Sequence, residues 1–240
     1  MTSTTPMEQA QDARRSLSIV RQRLAQAEAK FNRSPESVRL LAVSKTKPVA
    51  DIQAVLAAGQ RDFGENYLNE ALQKIEQLTG QGCVWHFIGA IQSNKTKPIA
   101  QCFDWVHCVD RLKIAQRLSA QRECDEALNI CVQVNIDSED SKAGVLPDQA
   151  LPLCRELATL PKLRLRGLMA IPRASDSFEE QRDSCRRLRV LFESIQSELP
   201  DIDTLSMGMS GDLEAAVAEG STMVRVGTAI FGQRAPKLKG

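Results

Sequence analysis

The residues most able to do chemistry sit in three short stretches. The first is Leu40-Leu41-Ala42-Val43-Ser44-Lys45-Thr46-Lys47-Pro48, an apolar run ending in a lysine. The others are two glycine-containing turns, Ser206-Met207-Gly208-Met209-Ser210-Gly211-Asp212 and Arg225-Val226-Gly227-Thr228. A lysine amine forms an imine with an aldehyde once it is neutral, yet a free lysine titrates near about 10.4. Partial burial and a second cation such as Lys47 would lower that value. Strand alternation leaves Lys45 and Lys47 as equal candidates, because both fall on one face. Gly208 and Gly211 let backbone amides approach an anion closely. Ser210 adds a hydroxyl, and Asp212 begins a helix whose N-terminus attracts negative charge. Gly227 and Thr228 repeat the device one strand later. Read singly, each turn is an ordinary strand-to-helix connection. As a pair beside a strand-end amine, they suit a phosphorylated aldehyde.

Arg225 is the third candidate. An arginine buried beside such a site wants an acceptor, and a pyridine nitrogen is one. Arginine keeps its charge, so that nitrogen would stay unprotonated and its ring would be a weak electron sink. A salt bridge to Glu65 or Glu214 accounts for Arg225 equally well. His86 and His107 fall inside strands and read as hydrogen-bonded core residues rather than bases or ligands. Gln92-Ser93-Asn94-Lys95 reads as a helix cap or as part of the mouth. Ser138-Glu139-Asp140-Ser141-Lys142-Ala143-Gly144 reads as a solvated connection.

The elements that must position these groups repeat down the chain. A leading helix is expected over about 7–31, with Leu17, Val20 and Leu24 on one face. Leu40 to Ser44 then suits a parallel strand covered on both sides. Pro48 opens a helix carrying Ile52, Val55 and Leu56, and Gly59 fits its end. Asp62 to Gly64 is a second strand, after which Asn66 caps a helix bearing Leu68, Leu72 and Ile75. Strands follow at Val84 to Ile88, Trp105 to Cys108, Ile130 to Ile136, Leu163 to Leu168, Asp203 to Leu205 and Met223 to Val226. Helices lie between them, one from about Ser93 to Gln101, one capped by Asp110, one opened by Pro147, one over about 177–199 and one capped by Asp212. Eight strand–helix units without a composition break predict an α/β chain forming one (β/α)8 barrel over 1–240. In that fold the loops after strands seven and eight commonly hold phosphate. An open doubly wound sheet is the rival, but no Gly-x-Gly-x-x-Gly follows the first strand.

Bulk properties narrow the partners. The chain has 240 residues, with 31 basic against 30 acidic. No basic block marks a nucleic-acid footprint, and no apolar stretch is long enough to span a bilayer. Seven cysteines, an odd number without a Cys-x-x-Cys pair, argue for reduced thiols in a cytoplasmic protein. Residues 1–6 lack a signal-peptide pattern, and 1–6 and 234–240 read as flexible tails. A near-neutral lone barrel points to a monomer.

The chain also closely resembles the YggS/PROSC family of pyridoxal 5′-phosphate (PLP) homeostasis proteins. The likeness is carried by Leu41-Ala42-Val43-Ser44-Lys45-Thr46-Lys47-Pro48, Phe63-Gly64-Glu65-Asn66-Tyr67, Trp85-His86-Phe87-Ile88-Gly89 and Gln92-Ser93-Asn94-Lys95. It continues in Arg166-Gly167-Leu168-Met169-Ala170-Ile171-Pro172, Ser206-Met207-Gly208-Met209-Ser210 and Arg225-Val226-Gly227-Thr228-Ala229-Ile230-Phe231-Gly232. The resemblance implies a PLP barrel like the N-terminal domain of alanine racemase, fold type III without the C-terminal β-domain. It implies a Schiff base at Lys45, the phosphate at Ser210, Gly227 and Thr228, Arg225 beside the pyridine nitrogen, Asn66 near the ring and Met209 among the cofactor-binding residues. Two positions depart from the family pattern. Ala90 replaces a usual proline, and Gly211 stands where a larger residue is common, which bears on affinity.

Racemases on this barrel need a second acid/base residue, a tyrosine from a following β-domain in alanine racemase. The tyrosine here, Tyr67, starts a helix. The expectation is therefore a protein that binds and supplies PLP to apo-enzymes, without efficient catalysis of its own. An amino-acid racemase or a related one-base PLP enzyme is the alternative. A PLP-free Schiff-base aldolase fits the motifs less well.

Overall fold

The protein is described from a computed structural model covering residues 6–139 and 142–233, with side chains described from residue 11 onward. The expected tails lie outside the described residues, apart from Pro6. Asp140 and Ser141 of the loop after the fifth strand lie outside them too.

The strands are β1 Arg39–Val43, β2 Asp62–Glu65, β3 Val84–Phe87, β4 Trp105–Val109, β5 Leu128–Val134, β6 Leu163–Ala170, β7 Thr204–Ser206 and β8 Met223–Val226. All pair in parallel, in chain order, and β8 closes onto β1 through Leu41↔Arg225 and Ala42↔Val226. The result is the expected closed (β/α)8 barrel. The outer ring is α2 Val49–Ala57, α3 Leu68–Gln77, α4 Thr96–Cys102, α5 Leu112–Gln121, α6 Pro147–Ala158, α7 Phe178–Glu198, α8 Leu213–Ala218 and α9 Thr228–Phe231. A leading helix, α1 Pro6–Lys30, precedes β1 and packs on α2, α8 and α9. Its stripe Ala13, Leu17, Val20, Leu24 and Ala27 is buried at helical spacing.

Most boundaries move by one or two residues. Ends fray, and the chain's apolar runs outlast its ladder bonds. Two capping expectations fail, and a third holds in position only. Asn66 does not cap α3: Tyr67 holds that position, with no side-chain cap bond. Arg111, not Asp110, precedes α5, also without one. Asp212 does precede α8, but its carboxylate turns back to accept from the Met209 amide at 2.6 Å. Ser177, not among the expected caps, does cap α7, its hydroxyl accepting from the Glu180 amide. The expected helix over 93–101 divides into a 3-10 turn, Ser93–Lys95, and α4. Gly59 ends α2 with φ +85°, the left-handed conformation that glycine adopts without strain.

The barrel interior is unusually polar. His86 stacks on Trp105 with ring centroids 5.4 Å apart, and the Arg39 and Arg166 guanidinium groups lie over the same indole at 5.6 and 4.7 Å. Such interiors are more often filled by branched apolar side chains.

Candidate functional site

At the carboxyl ends of the strands lies a cavity of about 310 Å³. Every residue expected to touch the ligand lines it: Lys45, Asn66, Met209, Ser210, Arg225, Gly227 and Thr228, with Val43, Ile88, Met169 and Ile171 as apolar walls. Among the described residues that line it, Lys45 and Arg225 are basic and none is acidic. A low-dielectric mouth carrying one sign of charge favours an anion.

The structure separates the two lysines that strand alternation leaves equal. β1 stops at Val43, and Thr46 takes φ +64°, so the face pattern does not persist. Lys45 borders the cavity. Lys47 Nζ donates to the carbonyls of Phe231, Gly232 and Gln233 at 2.6, 3.0 and 3.0 Å, at and just past the end of α9. The backbone on both sides of Lys45 is clamped. Lys74 Nζ donates to the Ser44 carbonyl at 2.8 Å, and the Thr46 amide donates to Glu70. Lys74 also bonds Glu65 at 2.7 Å, and Ser44 Oγ donates to the same Glu65 oxygen at 2.6 Å. Burial pushes the Glu65 carboxyl up, against the opposing pull of Lys74.

Arg225 has neither of the carboxylate partners weighed from sequence. Glu65 is taken by Lys74, and Glu214 by Arg23. Its Nη1 donates to Ser206 Oγ and its Nη2 to the Ala170 carbonyl, each at 2.8 Å. Burial lowers its pKa to about 10, with Asp212 opposing, so the group stays charged near neutrality.

The turn after β7 is held from two sides. The Arg225 amide donates to the Gly208 carbonyl at 2.9 Å. Gly208 has φ +94°, and a Cβ there would lie 2.5 Å from that of Ala216, so glycine is required twice over. From the other side, Arg23 on α1 donates to the Ser210 carbonyl at 2.7 Å while pairing with Glu214. No local pattern marks Arg23 for this role, because its partner lies 187 residues away. Gly227 passes close to β1: a Cβ there would lie 3.2 Å from the Val43 carbonyl. Thr228 begins α9, where the first amides lie beyond the reach of the helix's own carbonyls.

Asn66 Oδ1 is buried without a hydrogen-bond partner. A buried polar atom without a partner needs an explanation, and here the residue borders the cavity. Its backbone is pressed by Gly89, where a Cβ would fall 2.2 Å from the Asn66 carbonyl. Gln92 and Lys95 line a separate depression shared with Asn66 and Tyr67, so this motif lies outside the lysine cavity. His86 and His107 are wholly buried and hydrogen-bonded within the barrel, as expected. The seven cysteines are all free thiols, and the described residues contain no cluster able to hold a metal. No described helix is long and apolar enough to cross a membrane.

Over residues 16–235 the chain matches the family described as alanine racemase, N-terminal domain. The pyridoxal phosphate homeostasis protein of Pseudomonas aeruginosa is 54% identical over 213 residues, 88% of this chain and 91% of that protein. The protein of the same name from Escherichia coli (strain K12) is 48% identical over 227 residues, covering 93% and 97%. The solved structure of PipY from Synechococcus elongatus PCC7942 with PLP bound is similar at TM-score 0.76 and 37% identity. It covers 87% of this chain and 100% of that one.

Proposed function

The chain belongs to the pyridoxal phosphate homeostasis family, on the barrel of the alanine racemase N-terminal domain, and from that premise we propose that it binds PLP as a Schiff base with Lys45. Its role is intracellular PLP homeostasis and supply in the cytoplasm, as a monomer, without efficient catalysis of its own. One observation carries this reading: a single acid-free cavity gathers an amine, a polar turn, an arginine and an orphaned amide oxygen.

The residues present fit the cofactor. Lys45 supplies the amine for its aldehyde. Ser210 and Thr228 offer hydroxyls, and Met209 and Gly227 offer backbone, to its phosphate. Arg225 stands as a donor for the pyridine nitrogen, and Asn66 accepts from a polar substituent of the ring. Bound PLP supplies an electron sink at an amino-acid carbon. A charged arginine as donor keeps the ring nitrogen unprotonated and weakens that sink. Racemisation further needs proton transfer on both faces of that carbon. Among the described residues lining the cavity there is one amine, Lys45, while Arg225 stays charged and no carboxylate or imidazole is present. Tyr67 is half exposed and lines the neighbouring depression instead. These features favour a carrier, whose recipients are apo-enzymes that need PLP.

The test is the visible absorption of the purified protein with added PLP. A violet-region imine band is expected, retained in Lys47→Ala and lost in Lys45→Ala. A band that persists without Lys45 would overturn the assignment. Sustained exchange of an amino acid's α-proton in deuterated water would overturn the carrier role in favour of a one-base enzyme.

A further inference from the structure

The two histidines are consumed by neither the cavity nor a metal site, yet both lie in one unbroken hydrogen-bonded chain. Asp62 Oδ1 lies 3.0 Å from His86 Nε2, and His86 Nδ1 lies 2.9 Å from His107 Nε2. His107 Nδ1 lies 3.0 Å from Ser206 Oγ, which accepts from Arg225 Nη1 at 2.8 Å. The chain crosses the barrel interior from the start of β2, through β3, β4 and β7, to the end of β8. Asp62 borders a depression on the opposite face, beside Arg39 and Arg61. Arg225 borders the ligand cavity.

The two ends set the direction of every bond. A carboxylate only accepts, and a guanidinium only donates. Burial holds both imidazoles below their usual value near 6.5, with Asp62 opposing at His86, and with His86 and Arg225 reinforcing at His107. Both are therefore neutral, and each has one donor and one acceptor nitrogen. His86 must give its Nε2–H to Asp62, leaving Nδ1 to accept. His107 must then give its Nε2–H to His86, leaving Nδ1 to accept from the Ser206 hydroxyl. Ser206 is left with its oxygen to accept from Arg225. The opposite order would set a bare His86 Nε2 against the Asp62 carboxylate. Every imidazole nitrogen and both roles of the Ser206 hydroxyl are then used.

We propose that Ser206, His107, His86 and Asp62 are positioning residues for Arg225, a one-directional relay that aims the guanidinium at the cavity and ties its charge to a carboxylate at the far end of the barrel. This rests on the reading of the cavity as a PLP site. A buried cation with no hydrogen-bonded carboxylate relies on oriented dipoles, and bonds in such a chain polarise one another. A ligand nitrogen accepting from Arg225 is then felt at His86, although neither imidazole lines the cavity.

The chain contains two histidines, both in the relay, so its imidazole spectrum is assignable with few variants. Long-range proton–nitrogen spectra of the histidine-labelled full chain should show both as neutral Nε2–H tautomers. Adding PLP should shift the ring nitrogens of both. Ser206→Ala should keep the imine band but move its position, and His86 should stop responding. Ser206→Thr, which keeps the hydroxyl, should restore the response. An Nδ1–H tautomer at either histidine would sink the proposal, as would an imine band in the wild type with unmoved imidazole signals. Absence of the band in the wild type would instead remove the PLP reading, while the tautomers of the ligand-free protein still judge the relay. If Ser206→Ala fails to fold, the wild-type tautomers and shifts decide alone.

Discussion

Gly211 lies in the turn proposed to hold phosphate, where the family resemblance implies a larger residue. The structure offers room for one. A Cβ there would meet nothing within 4 Å, and Gly211 is not among the glycines with positive φ. Gly211→Ala should therefore stabilise the protein by about 0.4–1 kcal/mol, through lost freedom of the unfolded chain. A stiffer turn should also hold PLP more tightly. Thermal unfolding and a PLP titration check both, and a lower melting temperature would show that the turn needs the glycine. Gly208 and Gly89 are the contrast, since a Cβ at either would strike a neighbour. The sequence presents these three glycines alike. It does not show which two are sterically required, because that depends on Ala216 and on the Asn66 backbone arriving from elsewhere.

At the scale of elements, α1 does more than cover the barrel. Its buried stripe seats it on α8 and α9, and Arg23 projects from it to the Ser210 carbonyl and Glu214. Arg23→Ala should loosen the turn after β7 and weaken PLP binding several-fold. The stability cost should be small, about 1 kcal/mol or less, since the ion pair is partly exposed. A PLP titration beside a denaturant melt separates the two effects. Unchanged affinity would reduce α1 to a packing element. The helix itself was legible, because Leu17, Val20 and Leu24 repeat at helical spacing. So were the eight strands, within a residue or two. Caps were less legible: Asn66 and Asp110 have the right side chains, but one residue of extended backbone follows each before its helix begins.

At the scale of the whole molecule, the polar barrel interior sets a pH dependence. Both histidines are held below their usual value by burial. As pH falls through about 6.5, the unfolded chain takes up protons that the folded protein does not. The unfolded state then binds more protons, so stability falls as pH drops from 7 toward 5. The slope reaches at most about 1.4 kcal/mol per pH unit for each histidine. Glu65 and Asp51, whose carboxyls burial pushes up, act in the opposite sense over the range above about 4.5. The histidine part is therefore read as the difference between the wild type and His86→Gln in urea unfolding across that range. Parallel stability curves for the two proteins would remove this contribution.

What the sequence determined by itself was local in origin. Hydrophobic periodicity separates strand from helix, βαβ handedness then permits few arrangements, and strand-end glycines mark the two turns that border the cavity. The motif set identified the family for the same reason: each motif is contiguous. What only the tertiary structure decided involves residues far apart in the chain. It placed Lys45, not Lys47, at the cavity, gave Arg225 a hydroxyl and a carbonyl in place of a carboxylate, and joined Asp62 to Arg225 through two histidines. His107 meets Ser206 across 99 positions, and Arg23 meets Ser210 across 187. Such pairings depend on how strands close into a barrel and how side chains rotate within it, and no spacing along the chain encodes either.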